Sequence, residues 1–529
     1  MTDTADLDTA NLDTADLAAS DVSWDLEPLL DGRSVDELLD EADSRSIALE
    51  TLRGTVADFD AKALAQAMTD SAAVHDLLGR AGSFASLRFA TDSLDAERGA
   101  LAQRVQERAT AIGTRLIFFD LEWAALSDGR VEELLADPVL EFCAHHLRSE
   151  RRYRTHLLSE PEEKVLSEKA VTGRNAWSRL FGELISQVKV ELDGERVGLE
   201  RALSRLSHPE RDVRRGAAES VTTGLAEGLR TRAYVFNTLL ADKATDDRLR
   251  GYDHWLASRN LANEASDASV QALIDAVVAR YDLPQRWYRL KAQVLGVDRL
   301  ADYDRMASVG TAESAFGWRA AQELILDSYG SFSGELADIV KEFFDNGWID
   351  APVREGKRPG AFCAYTVPGH HPYLFLNWTG QRRDVLTLAH EMGHGLHAYL
   401  SRGQGVFHMG TPLTLAETAS VFGETVTFGR LLEATTDPGE RFALLAESIE
   451  GTIATVFRQT AMNQFEAAIH THRREQGELS LDDFGEHWAT SQSSMLGNAV
   501  EVTEGYRTWW SYIPHFVSTP GYEIGRAHV

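Results

Sequence analysis

The spacing of apolar residues predicts helices over most of the chain. Behind Ser34, residues 34–59 ("SVDELLDEADSRSIALETLRGTVADF") place apolar side chains three and four positions apart, which is the period of a helix with one buried face. Ser34 itself belongs to the residue types that cap helix N-termini. Similar amphipathic runs follow at 92–125, 159–190, 209–245 and 266–294. The pattern therefore predicts a mainly α fold.

One region has the alternating, β-rich pattern of strands instead. In "GAFCAYTVPGHHPYLFLNWTG" (360–380), the runs 361–367 and 372–378 flank a Pro-Gly-His-His turn, which predicts an antiparallel hairpin. The hairpin leads directly into a helix that is predicted to begin near Asp384. We therefore expect a small antiparallel β-sheet beside this helix.

Composition and charge narrow the range of functions. Apolar residues at 43% and charged residues at 26% are typical of a folded globular protein, and a formal net charge of -29 disfavours a nucleic-acid partner. The two cysteines, Cys143 and Cys363, form no disulfide framework and fit a reducing compartment. No secretory signal or membrane span is apparent, so the prediction is a cytoplasmic protein with no membrane partner. The oligomeric state stays open.

The segment "TLAHEMGHGLHAYL" (387–400) contains a candidate zinc site. On a helix, His390 and His394 lie on one face four residues apart and can bind one ion, with Glu391 beside it as a base. Chance matches to this H-E-x-x-H pattern number only on the order of 0.04 per chain of this composition. Zinc is the expected metal for two imidazoles and a carboxylate.

The third protein ligand is less clear from the residues. A catalytic zinc usually has three protein ligands and one open position. His397 shares the helix face but lies a turn beyond His390, and the three-histidine layout H-E-x-x-H-x-x-G-x-x-H is absent because His397 occupies its glycine position. We therefore expect His397 to orient a ligand or to pack.

Acidic residues on the following helix, 413–434 ("LTLAETASVFGETVTFGRLLEA"), are the other candidates. Glu417 stands among apolar and small residues, where an unpaired carboxylate would be unfavourable but one bound to a cation would be stable. Glu424, two turns on, is placed to orient a ligating imidazole, although a solvated helix charge is an equal interpretation.

Several segments, in order, resemble the oligoendopeptidase F branch of the thimet oligopeptidase superfamily. They are "GAFCAY", "PYLFLNW", "DVLTLAHEMGHGLHAYL", "TLAETASVFGE" and "WWSYIPHF", and the resemblance extends over roughly residues 24–522. It implies a zinc endopeptidase that cuts short peptides, with two helical lobes around a narrow substrate channel. It also implies that zinc is held by His390, His394 and Glu417, with Glu391 as general base.

The resemblance extends to residues that would contact the substrate. His515 in "IPHF" and Tyr522 match residues that stabilise the oxyanion of the reaction in similar enzymes. Gly360, Ala361, Phe362 and Cys363 match a segment that holds the backbone of an extended peptide.

These assignments predict a division of the chain into domains. A disordered acidic tail is expected over 1–22, where a degenerate repeat contains many Asp and no Lys or Arg. An N-terminal helical lobe would cover 23–200 and a catalytic domain 201–522. The last residues, 523–529 ("EIGRAHV"), resemble translated sequencing adapter and are expected to be non-native. The catalytic domain would then lack at least one oxyanion tyrosine.

Two other functions remain open at this stage. A zinc carboxypeptidase of similar helical fold would need a site for the free carboxylate of its substrate, and the sequence indicates none. A peptide-binding protein without turnover is the second alternative, although it would have no need for Glu391 beside the metal.

Overall fold

Helices form most of the protein in a computed structural model that describes residues 14–310, 315–518 and 521. The helices are α1 (Thr14–Ala18), α2 (Val35–Glu50), α3 (Ala61–Thr91), α4 (Ala96–Ala125), α5 (Asp128–Leu135), α6 (Ala144–Arg151), α7 (Glu160–Thr172), α8 (Arg174–Ser186), α9 (Leu199–Leu203), α10 (Arg211–Ala226), α11 (Leu229–Arg250), α12 (Ala257–Ala262), α13 (Asp267–Val278), α14 (Asp282–Val294), α15 (Trp318–Phe332), α16 (Gly334–Asp345), α17 (Arg382–Ser401), α18 (Leu413–Ala434), α19 (Pro438–Thr452), α20 (Gln459–Glu475), α21 (Leu481–Leu496) and α22 (His515–Ser518). The prediction of a mainly α fold is confirmed.

The strands form three small sheets. They are β1 (Lys189–Leu192), β2 (Glu195–Gly198), β3 (Leu300–Ala301), β4 (Ile349–Pro352), β5 (Phe362–Ala364), β6 (Tyr373–Trp378) and β7 (Val500–Glu501). Strand β1 pairs antiparallel with β2, and β3 pairs parallel with β7. The third sheet has the order β4-β6-β5.

The predicted hairpin is present in this third sheet, with one addition. Strands β5 and β6 are antiparallel, and Cys363 lies opposite Leu374. Strand β5 is shorter than the predicted run because Thr366 adopts the left-handed conformation (φ 59°), which ends the pairing. Strand β4 pairs parallel with β6, so the sheet is mixed and not purely antiparallel as expected.

Helix α2 begins where the sequence predicts. The Ser34 hydroxyl accepts a hydrogen bond from the backbone N–H of Glu37, and the Glu37 carboxylate accepts one from the backbone N–H of Ser34. This reciprocal capping box satisfies two amides that the helix itself cannot pair.

Part of the segment predicted as a disordered tail is ordered. Residues 14–18 form α1, Ala19 is buried in the core beneath α15, and the backbone N–H of Ala351 donates to the carbonyl of Val22. Small apolar residues at this end of the acidic repeat give it a face that packs, so the prediction is wrong for residues 14–22. Residues 1–13 lie outside the described residues, as do Tyr522 and the segment 523–529.

One apolar core supports the helices around the predicted zinc site. It is formed by α15, α16, α17, α18 and the third sheet, and its fully buried members include Ile325, Val340, Phe343, Leu374, Leu388 and Met392. A second core joins residues 181–240 to residues 462–517 and therefore spans the proposed boundary at residue 200. The division into domains stays a prediction.

Within the described parts of the chain, every helix is too short or too polar to cross a membrane.

Candidate metal centre

Helix α17 begins with a cap supplied by Asp384, the residue predicted to mark its start. One oxygen of the Asp384 carboxylate accepts hydrogen bonds from the backbone N–H of Thr379 (2.7 Å), from the Thr379 hydroxyl (2.7 Å) and from the backbone N–H of Gln381 (3.1 Å). These bonds tie the end of the hairpin to the first turn of the helix. The register of the helix is thereby fixed relative to the sheet.

Two turns further on, three side chains converge on one point. Nε2 of His390 lies 3.2 Å from Oε2 of Glu417, and Nε2 of His394 lies 3.4 Å from the same oxygen. All three candidate ligand atoms lie within 4.8 Å of one another, and no other such group of three or more was found among the described residues. Two imidazoles and a carboxylate are a donor set typical of a catalytic zinc.

The two helices that carry these side chains pack unusually closely. Gly393 on α17 faces α18, where a Cβ atom would overlap the carbonyl oxygen of Ala419 and lie 2.6 Å from Cα of Ser420. Gly423 on α18 faces α17 in the same way, and a Cβ atom there would overlap the carbonyl oxygen of Ala389. The absence of side chains at both positions lets Glu417 reach the two histidines.

Two further carboxylates, those of Glu424 and Glu391, lie beside the three convergent side chains. Oε1 of Glu424 lies 2.5 Å from Nδ1 of His390, on the opposite side of the ring from Glu417. Glu391 is 1% exposed, and its Oε2 atom has no hydrogen-bond partner in the described structure. A buried, unpartnered carboxylate is unfavourable unless a cation or a bound water lies beside it.

The electrostatics of the cluster reflect these contacts. Burial raises the pKa of Glu391 to about 8, and the neighbouring Glu417 and Glu424 add to this effect. Burial alone would lower the pKa of His390, but its bonds to Glu417 and Glu424 raise it to about 9. Burial opposes ionisation of Glu417, yet hydrogen bonds from His390 and His394 hold the pKa of that carboxyl well below its usual range. His390 therefore lies between two carboxylates that both favour its charged form.

His397 is not a member of this group. Its Nε2 atom lies 3.4 Å from the hydroxyl of Thr411, in the connection between α17 and α18, and its ring meets that of Tyr365 edge-on at 6.4 Å. Burial, with the neighbouring charge of His394, lowers the pKa of His397. The structure thus separates His397 from the three convergent side chains.

Strand β5 lies at the edge of its sheet and against α17 and its core. Its partner β6 is already paired on both sides, so the outer edge of β5 has no partner strand among the described residues. Of the four residues predicted to hold substrate, Phe362 and Cys363 lie in β5, while Gly360 and Ala361 precede it. Cys363 is close enough to Glu391 that the carboxylate helps to raise the pKa of the thiol.

Tyr365 was not predicted as a site residue. Burial raises the pKa of its phenol, and the carboxylates of Glu417 and Glu391 act in the same direction, which places the ring beside the centre. The signal was available, because Tyr365 ends the motif "GAFCAY".

The predicted oxyanion residues are only partly described. His515 is half-buried and begins α22, whose next two residues, Phe516 and Val517, lie in the core that joins 181–240 to 462–517. Tyr522 lies outside the described residues. The roles of both stay predictions.

Comparison with known proteins relates the chain to a family of peptidases. The sequence model of Peptidase family M3 matches residues 329–523, which include the whole convergent cluster, and the model named Oligopeptidase F matches residues 122–189. The chain is oligoendopeptidase F-like, and its residues 329–523 match peptidase family M3. It is 26% identical to the oligopeptidase PepF of Bacillus subtilis (strain 168) over 478 residues, which cover 88% of this chain and 71% of the relative. It is 27% identical to the chromosomal oligoendopeptidase F of Lactococcus lactis subsp. cremoris over 332 residues, which cover 62% of this chain and 55% of the relative.

Solved structures of other peptidases share the fold. Oligoendopeptidase F from Enterococcus faecium superposes with a TM-score of 0.68 at 22% identity, covering 93% of this chain and 85% of the other. PZ peptidase A, solved with an inhibitor, superposes with a TM-score of 0.75 at 16% identity, covering 92% and 85%. The comparisons thus support a peptidase, and the solved structures show the same mainly α fold.

Proposed function

We propose that this M3 peptidase is a zinc-dependent endopeptidase that hydrolyses internal bonds of short peptides. The observation that carries the proposal is the convergence of His390, His394 and Glu417 on one point beside the buried, unpartnered carboxylate of Glu391.

Each side chain has a distinct role in this proposal. His390, His394 and Glu417 would hold the zinc, which when bound acts as a Lewis acid and lowers the pKa of water. Glu391 accepts a proton from the attacking water and passes it to the leaving amine. Glu424 holds the His390 ring in its ligating orientation through Nδ1. His515 and Tyr522 would donate hydrogen bonds to the oxyanion.

The outer edge of β5 would hold the substrate. A peptide in extended conformation can add to this edge through main-chain hydrogen bonds, which depend little on side-chain identity. Gly360, Ala361, Phe362 and Cys363 would make this contact, and Tyr365 lies where it could reach a peptide bound beside Glu391. Short peptides are the expected substrates in a cytoplasmic setting.

The deciding experiment uses a short quenched peptide that is blocked at both ends. We expect internal cleavage by the wild-type protein loaded with zinc, and a loss of roughly 10²–10⁴-fold in Glu391→Gln with zinc still bound. A chelator should abolish cleavage in the wild type, and added zinc should restore it. Retention of full activity by Glu391→Gln, or in the presence of chelator, would contradict the mechanism.

The same peptides distinguish the alternatives. Trimming of an unblocked peptide without cleavage of the blocked one would identify a carboxypeptidase or another exopeptidase. Zinc binding with no cleavage of either peptide would identify a peptide-binding protein.

A further inference from the structure

Two histidines outside the candidate metal centre face each other across a pair of helices. His472 lies in the last turn of α20, and His487 lies in the next helix, α21. Nδ1 of His472 is 3.1 Å from Nε2 of His487. At this distance the two nitrogens share one proton, since one ring has to donate and the other to accept. When that proton is released, the two lone pairs can bind one cation.

The two rings are placed like those of the histidines in the candidate metal centre. The ring centres of His472 and His487 are 5.3 Å apart, and their planes meet at 86°. For His390 and His394 the corresponding values are 4.8 Å and 80°. Two Zn–N bonds of about 2.0–2.1 Å at a tetrahedral angle place the nitrogens about 3.3 Å apart. A zinc ion would therefore fit between the rings after a small rotation of each side chain.

The surroundings of the pair are open and negatively charged. Both histidines are half-buried, so an ion and its bound waters can reach them. The Asp483 carboxylate accepts hydrogen bonds from the hydroxyl (2.7 Å) and the backbone N–H (2.8 Å) of Ser480, and these bonds hold its pKa below the usual range. Asp483 therefore stays ionised beside the rings. The C-terminal end of α20 adds a partial negative charge, which also favours a cation.

The His487 ring is kept in the form that binds metals. Burial lowers the pKa of His487 and the neighbouring His472 acts in the same direction, while Asp483 and Glu486 oppose them. A metal ligand has to be a neutral imidazole, because the proton of the charged ring occupies the lone pair that the metal needs. The ring is thus available at neutral pH.

The pair supplies two protein ligands and leaves the other positions to water. Among the described residues, no further Cys, His, Asp or Glu atom lies within 4.8 Å of both facing nitrogens. Imidazole ligands suit zinc, copper and nickel, whereas calcium and magnesium prefer oxygen. With two ligands in place of three, the affinity should be lower than at the candidate metal centre.

We propose that His472 and His487 form a second metal site, which binds a divalent transition metal such as zinc and joins α20 to α21. The site is separate from the proposed function and needs none of its residues. Its effect would be to hold the ends of two helices together at the turn that connects them.

The same two helices support the segment that carries His515. Phe465 of α20 lies 5.1 Å from Phe516, ring centre to ring centre, and Phe484 of α21 stacks on Trp510 at 4.4 Å. Phe516 directly follows His515 in the chain. A metal that joins the helices should therefore stabilise the core against which this segment packs.

Zinc titration of the metal-free full chain, in competition with a chromophoric chelator, tests the proposal. We expect two equivalents for the wild type, and one each for His487→Gln and for His472→Gln. The affinity for the second equivalent should fall at least about tenfold in these variants, since even residues that only orient a ligand contribute about 10–100-fold. The equivalent that each variant retains shows that it is folded.

His208→Gln is the matched control. The Nδ1 atom of His208 accepts a hydrogen bond from the backbone N–H of Glu210, and no second imidazole contacts His208 within the described chain. This variant should bind two equivalents like the wild type. A wild type that binds one equivalent would overturn the proposal, as would a second equivalent that His487→Gln and His472→Gln leave unchanged.

The His394→Ala variant isolates the second site from the candidate metal centre. It should keep the weaker equivalent, and copper(II) bound to it should show coupling to two imidazole nitrogens in its electron paramagnetic resonance spectrum. His394→Ala combined with His487→Gln should lose both features. Zinc should also raise the unfolding midpoint of His394→Ala but not that of the double variant, because a ligand stabilises the state that it binds. Zinc binding without this rise would overturn the proposed joining of the helices.

Discussion

The carboxylate of Glu424 and the carboxylate of Glu417 lie on opposite edges of the His390 ring. Glu424 contacts Nδ1 at 2.5 Å, which leaves Nε2 to face Glu417 and His394. A carboxylate in this position fixes the tautomer and orientation of a ligating imidazole and increases its basicity. Its charge would therefore act on a bound metal through His390, without direct contact to the metal.

Glu424→Gln should weaken zinc binding by about 10–100-fold. The amide keeps the size of the side chain but removes the charge that favours the ligating form of His390. Competition with a fluorescent chelator measures the affinity directly. Glu433→Gln on the same helix is the control, since Glu433 is exposed and, within the described residues, forms an ion pair with Arg430 alone. Unchanged zinc affinity in Glu424→Gln would show that the contact is incidental.

Substitution of His394 and of His397 tests which of these two histidines binds zinc. The structure places only His394 within the convergent group, so His394→Ala should lose stoichiometric zinc. His397→Phe should keep it, since the ring of His397 contacts Thr411 and Tyr365. Metal content after gel filtration is sufficient for this comparison. Loss of zinc from His397→Phe with an unchanged unfolding midpoint would make His397 a ligand.

Among the elements, the crossing of α17 and α18 matters most for the centre. Gly393→Ala should separate the two helices, because its Cβ atom would overlap backbone atoms of α18 that cannot move alone. Overpacking of this kind costs about 1–3 kcal/mol of stability, and moving Glu417 away should also lower zinc affinity. Thermal unfolding with and without zinc measures both effects.

Gly429→Ala is the matched control on α18. A Cβ atom there would meet nothing within 4 Å, so the variant should be neutral or more stable by up to about 1 kcal/mol. If Gly393→Ala behaves like Gly429→Ala, the close approach of the helices is not required for the site.

The helices could be predicted from sequence much better than their interruptions. The predicted runs 159–190 and 209–245 each contain two helices, which are separated at Gly173 and at Gly228. Gly228 has φ 68°, a conformation that ends a helix, but glycine inside an amphipathic pattern is often tolerated and gives no certain signal. The pairing of β4 with β6 was also missed, because it joins segments that are far apart in sequence.

In the candidate site too, local spacing could be predicted from the sequence, whereas contacts between separate helices could not. The spacing of His390 and His394 on one helix face is a local property, so the sequence was sufficient to predict it. Glu417 depends on the packing of a second helix, and local reasoning could only prefer it to His397.

At the scale of the whole molecule, the N-terminal helices contact the segment that joins the two helices of the candidate metal centre. The connection from α17 to α18 is held against α6 and α3. His146 on α6 stacks on Phe407 at 4.7 Å, and its backbone N–H donates to Nε2 of His408 (3.1 Å). His75 on α3 lies on the same Phe407 ring at 6.0 Å. This connection leads directly to the helix that carries Glu417.

The contribution of this contact, between His146 and the α17–α18 connection, to the stability of the fold should decrease in acid. Burial, with the nearby His75, His408 and His145, lowers the pKa of His146 from 6.5 to about 4. A base with a lowered folded-state pKa is neutral in the native protein, so its contribution to stability is complete above pH 6.5. That contribution is lost as the pH falls from 6.5 to 4, where the unfolded state binds the proton more readily.

His146→Phe should therefore be less sensitive to pH than the wild type. Phenylalanine keeps the stacking on Phe407 but cannot take up a proton. Among the described residues, Glu150 has the only carboxylate within 4.0 Å of the His146 ring nitrogens, at 3.9 Å. The shift corresponds to about 3 kcal/mol, which partial exposure of the side chain reduces to about 2 kcal/mol. Urea unfolding midpoints between pH 7 and 4 should fall more steeply for the wild type than for the variant. Parallel pH profiles would contradict the assignment of the acid sensitivity to His146.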